Sequence, residues 1–277
     1  MRALSSLLVL AVAACERPEV LVICHNGNCV EPIAPENDDT IPALVASLAL
    51  EESGRTAIDG VEVDSFWRGA DGVCLFAHDL DGARTTLMSE VAPVIAEHFA
   101  RPGEITFSGR PFRVFIELKA HVGPAKTERH TPEQRLSHAS CAWDVYTALV
   151  DAARVNGREV EIVFSSFSPE LLRSLVDSAP AGVTPDSYKL DAFYGIPKPL
   201  DSETRPLRDY AGLPIDVIEM HPHWIHDAQH EGILSQGLEL GFWMFSATVE
   251  TFAAIEQYEP TMVITSEAKL MRRWLER

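Results

Sequence analysis

Short apolar runs alternate with longer segments of helical spacing along the chain. The first run, Val20–Cys24, is continuous and of strand length, and Ile41–Leu50 after it has apolar residues at helical spacing. Principal strands are predicted to start near residues 20, 60, 112, 160, 187, 215, 239 and 262. Runs that are apolar throughout, rather than alternating, are typical of a parallel sheet covered by helices.

Helices are predicted between these strands. They cover Pro132–Asn156, Pro169–Ser178, Ile225–Gly237, Val249–Tyr258 and Glu267–Arg277. A short additional strand is predicted at Val73–Ala77, and the stretches 101–111 and 194–214 are predicted to be loops inside one domain. Eight strands that alternate with helices predict an α/β protein, a single-domain TIM (β/α)8 barrel. A doubly wound open sheet is the alternative, but no G-x-G-x-x-G turn follows the first strand.

The amino-terminal segment has the features of a signal peptide. A basic start, Met1-Arg2, precedes the apolar run from Leu4 to Ala14, which is too short to cross a bilayer. The junction before Cys15 resembles a bacterial lipobox, in which the cysteine is lipidated. We therefore expect residues 1–14 to be removed and residues 15–277 to form the barrel of an exported lipoprotein, periplasmic or on the bacterial cell surface. Cleavage near Ala14 without lipidation is the alternative.

Composition narrows the class of partner. The 277 residues include 41 acidic ones against 23 lysines and arginines, so the formal net charge is −18. A nucleic-acid ligand is not expected, because phosphate recognition needs a basic face. The predicted membrane contact is the lipid anchor on Cys15, and nothing in the sequence indicates an obligate protein partner.

Four cysteines remain when Cys15 is set aside, at positions 24, 29, 74 and 141. An even number suits a compartment that permits disulfides. A bridge between Cys24 and Cys29 would close a small loop around His25. Two free buried thiols are the alternative.

Charged and polar side chains collect where the first strands end. His25 ends the first strand, while Glu62 and Asp64 lie two residues apart in the second and so point the same way. Glu117 and Lys119 have the same spacing at the end of the third. The carboxyl ends of barrel strands form the active-site mouth. Three carboxylates that converge there would repel each other without a cation, and oxygen-only ligands favour Mg²⁺ or Ca²⁺ over zinc.

Several other residues are weaker candidates. Lys189 is a charge in a buried strand and is a candidate second phosphate contact. Glu219 and Trp243, at the ends of strands six and seven, are candidates for substrate contact or for packing. A histidine cluster near the sixth strand predicts either a zinc site or a histidine-rich surface loop. The members of this cluster are His221, His223, His226 and His230.

Several short motifs follow one another along the chain. They are His25-Asn26-Gly27, Pro35-Glu36-Asn37, Glu62-x-Asp64, Asp71-Gly72, His78-Asp79, Glu117-x-Lys119, Phe164-Ser165-Ser166-Phe167 and Gly241-Phe242-Trp243 with Ile264-Thr265. This ordered set resembles the glycerophosphodiester phosphodiesterase family. This family belongs to the phospholipase C-like phosphodiesterase superfamily, which includes sphingomyelinase D. Its members are β/α barrels that bind one divalent cation.

The resemblance implies a role for each matched residue. His25 and His78 would form the acid–base pair, Glu62, Asp64 and Glu117 would bind Mg²⁺ or Ca²⁺, and Lys119 would contact phosphate. The implied reaction is hydrolysis of glycerophosphodiesters or of related small diesters such as lysophospholipids. The alternatives are a non-catalytic, ligand-binding barrel lipoprotein and a zinc hydrolase that uses the cluster from His221 to His230.

Three positions depart from the family pattern. Asn26 replaces the usual arginine after the first histidine, so an amide replaces a charge in the expected substrate-binding set, which also includes Trp243. Met244 replaces threonine after Trp243, and Ser266 replaces the aspartate that usually follows Thr265. The segment between Asp79 and Phe112 leaves little room for the subdomain that many members insert.

Overall fold

The computed structural model describes residues 19–30, 35–79, 85–121, 129–194, 210–244 and 246–277. The predicted signal peptide, Cys15 and most of the predicted loop 194–214 lie outside these residues. No helix within these ranges is long and apolar enough to cross a membrane.

The described elements follow the alternation that the sequence predicts. The strands are β1 (Leu21–Cys24), β2 (Glu51–Glu52), β3 (Arg55–Thr56), β4 (Gly60–Arg68), β5 (Val73–Phe76), β6 (Phe112–Leu118), β7 (Val160–Ser166), β8 (Lys189–Tyr194), β9 (Val217–Met220), β10 (Glu239–Met244) and β11 (Met262–Thr265). The helices are α1 (Ile41–Leu48), α2 (Met88–Phe99), α3 (Pro132–Val155), α4 (Pro169–Asp177), α5 (Asp227–Ser235), α6 (Val249–Tyr258) and α7 (Ala268–Leu275).

Eight parallel strands close into a ring. Its order is β1, β4, β6, β7, β8, β9, β10 and β11, and β1 pairs on one side with β4 and on the other with β11. Because no edge is left between β1 and its two neighbours, the open-sheet alternative is wrong. The predicted (β/α)8 barrel is confirmed, with strand starts within two residues of those expected.

Buried apolar residues form one core outside the ring of strands and another inside it. The larger lies between the strands and the helices, and the smaller fills the inside of the ring. The inner core consists of Leu21, Ile23, Phe115, Val163, Val217, Met262 and Ile264. These residues alternate along their strands with residues of the outer core, as the two-residue period of a strand requires.

Two features between β4 and β6 were not predicted from the sequence. β4 is nine residues long and extends past the ring, where β5 pairs with it in an antiparallel hairpin. Helix α2 was not predicted, because Pro93 lies in its interior, where proline normally interrupts a helix. Its buried Val91, Ile95 and Phe99 have the four-residue spacing that packs it against the core.

Gly60 is required at the point where β1 and β4 close the ring. It pairs with Ile23 of β1 and with Arg113 of β6. A Cβ atom at this position would overlap the carbonyl oxygen of Arg113 and approach Cδ1 of Ile23 to 2.9 Å. The close approach of three strands therefore excludes a side chain here.

We predict that Gly60→Ala lowers the free energy of unfolding by about 1–3 kcal/mol or more through overpacking. The matched control is Gly232→Ala in helix α5, where an added Cβ has no neighbour within 4 Å. That change should be neutral or stabilise by up to about 1 kcal/mol. Urea unfolding of both variants measures the difference, and equal stability would contradict the assignment of Gly60.

Candidate active site

Three buried carboxylates converge at the carboxyl ends of β4 and β6. Glu62 and Asp64 share one face of β4, and Asp64 is in register with Glu117 of β6. One carboxylate oxygen from each residue lies within 4.8 Å of the others, the spacing of a group that can bind a metal ion. The structure thus brings together the three residues predicted to be metal ligands.

Lys119 neutralises part of this charge. Its Nζ lies 2.8 Å from Oδ1 of Asp64 and 2.7 Å from Oε1 of Glu117. Burial lowers the pKa of Lys119, but the negative charges of Asp64 and Glu117 outweigh burial and hold it above its usual value. Lys119 is therefore a fixed positive charge at the mouth, and its contact with phosphate remains a prediction.

One lysine does not balance three carboxylates. Burial, and then the charge of Glu117, raises the pKa of Glu62 to about 7. Burial together with the charge of Asp64 raises the pKa of Glu117 to about 7 as well, although Lys119 opposes this shift. Burial also raises the pKa of Asp64 well above its ordinary value. The cluster therefore has a high affinity for protons, and a divalent cation would compete for the same oxygens.

A disulfide-bonded loop places His25 beside the carboxylates. Cys24 and Cys29 form a disulfide, so one of the two alternatives for these cysteines is settled. Between them, Asn26 adopts a left-handed conformation with φ of 49°, and its backbone N–H donates to Oε2 of Glu62 at 2.7 Å. This hydrogen bond fixes the loop against the acidic cluster.

His25 itself is held in the neutral form. Burial, and then the positive charge of Lys119, lowers the pKa of His25 to about 4. Its Nδ1 lies 3.4 Å from Oγ of Ser266, the residue that replaces the aspartate of the family pattern. The departure at position 266 thus gives His25 a hydroxyl neighbour instead of a carboxylate.

The β4–β5 hairpin carries His78 back to the level of Asp64. The N–H of Ala77 donates to the backbone oxygen of Asp64 at 3.2 Å, and His78 follows directly. The His78 side chain is 48% exposed, and its Nδ1 lies 3.4 Å from Oδ2 of Asp79. The two predicted catalytic histidines therefore differ in environment, one enclosed and one open to solvent.

Aromatic rings line the other half of the mouth, at the ends of β7 to β10. The Phe193 ring lies 4.3 Å from that of Phe167 and 5.9 Å from that of Trp243. Trp243 also contacts His221 and Trp224, at 5.2 and 5.9 Å between ring centroids. We call these five residues the aromatic wall. Trp243 was predicted at the mouth, but Phe193 was missed, since an aromatic residue in a strand usually belongs to a core.

The structure places Lys189 at the opposite end of the barrel, so its predicted phosphate contact is wrong. It is the first residue of β8, and strand ends at the mouth are carboxyl ends. Its Nζ lies 2.5 Å from Oε1 of Glu161 and pairs with Glu239 as well. Arg113 pairs with the same two carboxylates, which completes a balanced cluster of charges at the amino ends of the strands.

The histidine cluster does not form a metal site. Among the described residues, which include all four of these histidines, the one group of three or more histidine, cysteine, aspartate or glutamate side chains that lie close enough to hold an ion is Glu62, Asp64 and Glu117. The His221 and His223 rings lie 4.9 Å apart, whereas the His230 ring packs against Tyr258 at 5.3 Å. The structure therefore contradicts the zinc alternative.

Asp191 of β8 and Glu219 of β9 add two more buried acids to the barrel interior. Glu219 was a candidate from the sequence, but Asp191 was missed. The available signal was a single aspartate in an apolar strand, the same kind of signal that gave the wrong interpretation of Lys189.

Comparisons with known proteins match the fold but not the sequence. No protein-family model matches the chain, and neither does any curated protein. A solved glycerophosphodiester phosphodiesterase from Agrobacterium tumefaciens is 18% identical, with a TM-score of 0.55 over 94% of this chain and 100% of that one.

Two further structures give the same result. One from Thermotoga maritima, also a glycerophosphodiester phosphodiesterase, is 17% identical, with a TM-score of 0.51 over 92% of this chain and 98% of that one. A proposed glycerophosphodiester phosphodiesterase from Galdieria sulphuraria is 14% identical, with a TM-score of 0.61 over 95% and 100%. The chain therefore has the barrel fold of these proteins along nearly its whole length.

We predict that the two disulfides contribute unequally to stability. Replacing Cys24 and Cys29 with serine opens a loop of sequence separation 5 and should cost about 2 kcal/mol. The matched control removes the Cys74–Cys141 disulfide, with a separation of 67, and should cost about 4 kcal/mol.

Only the first pair of substitutions should change the environment of His25. Its imidazole pKa, followed by NMR, should rise toward the ordinary value of 6.5 when the loop loosens. A His25 pKa that stays near 4 in this variant would show that the disulfide does not position the loop.

Proposed function

We propose that the protein is a metal-dependent phosphodiesterase that hydrolyses glycerophosphodiesters or related phospholipid-derived phosphodiesters, including lysophospholipids. One observation carries the proposal. Glu62, Asp64 and Glu117 converge beside Lys119 and the His25 loop, at the mouth of a barrel with the fold of known glycerophosphodiester phosphodiesterases. The class is phosphoric diester hydrolase, and lipid metabolism is the expected setting.

The three carboxylates fit a divalent cation. They offer only oxygen atoms, which suits Mg²⁺ or Ca²⁺. Oε1 of Glu62 is buried and makes no hydrogen bond of normal geometry with a described residue, so it is available to an ion. When bound, such a cation stabilises negative charge on the phosphoryl oxygens.

The different environments of His25 and His78 support opposite roles in proton transfer. A neutral His25 at pH 7 can accept the proton of the attacking hydroxyl group. His78, whose Nδ1 lies 3.4 Å from Oδ2 of Asp79, would take the opposite role and donate a proton to the departing alkoxide. One histidine thus accepts the proton of the attacking hydroxyl group, and the other donates a proton to the leaving group.

Other residues would bind the substrate. Lys119 supplies a positive charge for the phosphate, and Asn26 supplies a neutral amide where the family has a guanidinium group. Asn26 Oδ1 is buried without a hydrogen bond of normal geometry among the described residues, so the amide has capacity to bind a ligand. Trp243 offers an aromatic face to the alcohol portion of the diester.

We also propose that the protein is exported and anchored to a bacterial membrane through a lipid on Cys15. Disulfides persist in oxidising compartments, and the described residues contain two, Cys24–Cys29 and Cys74–Cys141. They support export but not lipidation, which mass spectrometry of the mature amino terminus would test.

The catalytic proposal is tested by assays on glycerophosphodiesters, lysophospholipids and sphingomyelin. EDTA should abolish turnover, and His25→Ala should reduce kcat by about 10²–10⁴-fold, the usual effect of losing an acid–base group. His230→Ala, which alters a histidine packed on Tyr258, is the matched control and should keep full activity. Cation binding without turnover of any diester would instead support the non-catalytic barrel.

Cation binding should also change how stability depends on pH. Glu62 and Glu117 have pKa values raised from 4.5 to about 7, so the ion-free folded protein holds protons that the unfolded chain has lost. Stability without a cation should therefore fall as pH rises from about 4.5 through 7. Saturating Mg²⁺ should raise Tm more at pH 8 than at pH 5, as scanning calorimetry can measure. Equal shifts at both values would argue against binding by these carboxylates.

A further inference from the structure

A second group of oxygen atoms lies inside the barrel, beyond the three carboxylates of the proposed cation site. Ser165 of β7 is in register with Glu117 on one side and with Asp191 of β8 on the other. Residues in register across parallel strands point to the same face of the sheet. Glu117, Ser165 and Asp191 therefore form one row directed into the ring.

Glu219 of β9 joins this row from the next strand. It is in register with Phe193, two residues after Asp191, so its side chain points to the same face. Asp191 and Glu219 interact through their carboxyl groups. The pair lies beneath the aromatic wall, because Phe193 is the next inward-facing residue of β8 and His221 lies two residues after Glu219, just past the end of β9.

These oxygen atoms are enclosed and poorly satisfied. Asp191 and Ser165 are 0% exposed and Glu219 is 1% exposed. Neither carboxylate oxygen of Asp191 makes a hydrogen bond of normal geometry with a described residue, and the same holds for Glu219 Oε2 and Ser165 Oγ. The two carboxyl groups contact each other, whereas Ser165 Oγ in the same row makes no such bond among the described residues. Buried oxygen atoms that are satisfied so poorly are costly, so this arrangement indicates a ligand that binds oxygen.

The charges near Asp191 and Glu219 also favour a bound cation. Burial raises the pKa of Asp191 to about 8, with a further contribution from the charge of Glu117. Burial and the charge of Asp191 raise the pKa of Glu219 well above its ordinary value. Among the described residues, Lys119 is paired with Asp64 and Glu117, and two further cations of the interior, Arg113 and Lys189, are paired with Glu161 and Glu239.

We propose that Asp191, Glu219 and Ser165 hold a second divalent cation, so that the barrel binds two ions per chain. Two carboxylates and a hydroxyl group form an oxygen-only donor set, which suits Mg²⁺ or Mn²⁺. As at the first site, the buried carboxylates outnumber the positive charges that the described residues place beside them. The inference concerns ion binding alone and does not depend on diester hydrolysis.

The test is the stoichiometry of Mn²⁺ binding to the chelated, dialysed full-length protein at pH 8.5. The probe is Mn²⁺ alone, counted by isothermal titration and by elemental analysis after gel filtration. The wild-type protein should bind two ions per chain. The isosteric double variant Asp191→Asn/Glu219→Gln should bind one, and so should Asp64→Asn/Glu117→Gln, which removes the other site.

Glu161→Gln, at the opposite end of the barrel, is the matched control and should still bind two ions. If the wild-type protein bound one ion and Asp191→Asn/Glu219→Gln also bound one, the proposal would be wrong. The two carboxyl groups would then share a proton instead of binding an ion. Two ions retained in that variant would also overturn it.

The wild-type count needs no variant to fold, so instability of a variant does not remove the test. If Glu62, Asp64 and Glu117 do not bind an ion, Asp64→Asn/Glu117→Gln should bind as many Mn²⁺ ions as the wild-type protein. The two proposals can therefore fail separately.

Discussion

Repulsion between like charges, held in place by a closed ring of strands, is the constraint on which the site depends. The register of strands with buried faces is strongly specified, because a shift by one residue would turn every inward side chain outward. Here β1 pairs with both β4 and β11, so the register that sets Asp64 beside Glu117 cannot relax. The excess negative charge must instead be met by a cation or by protons, because low-dielectric surroundings strengthen the repulsion. Lys119 meets only part of it.

The two ends of the barrel differ in the balance between their positive and negative side chains. At the amino ends of the strands, Arg113 and Lys189 face Glu161 and Glu239, and the opposite charges are equal in number. Among the described residues at the mouth and just below it, Glu62, Asp64, Glu117, Asp191 and Glu219 are buried acids, and Lys119 is a buried lysine. A balanced cluster stabilises one arrangement of the chain, whereas an unbalanced one attracts positive charge from outside. This contrast distinguishes the amino ends of the strands from the end proposed to bind a ligand.

The strands and the acidic cluster were predictable because both depend on local periodicity. Apolar runs marked the eight strands, and two-residue spacing put Glu62 and Asp64 on one face. Lys189 was misplaced because a run of apolar residues does not show whether a charge near its edge opens or ends the strand. Asp191 was missed because its neighbours come from other strands. Helix α2 was hidden by Pro93, whose unfavourable effect is outweighed by the burial of Val91, Ile95 and Phe99.

Each of the two described disulfides lies next to one of the histidines of the proposed acid–base pair, His25 and His78. Cys24–Cys29 encloses His25, and Cys74–Cys141 ties the hairpin strand that leads to His78 onto helix α3. Oxidation therefore restricts both histidine-bearing segments before any substrate arrives, and the entropy of ordering them is lost during folding rather than during binding. In a chain that folded in a reducing compartment, both histidine-bearing segments would be less restricted. The order of these two segments thus depends on whether the chain is oxidised.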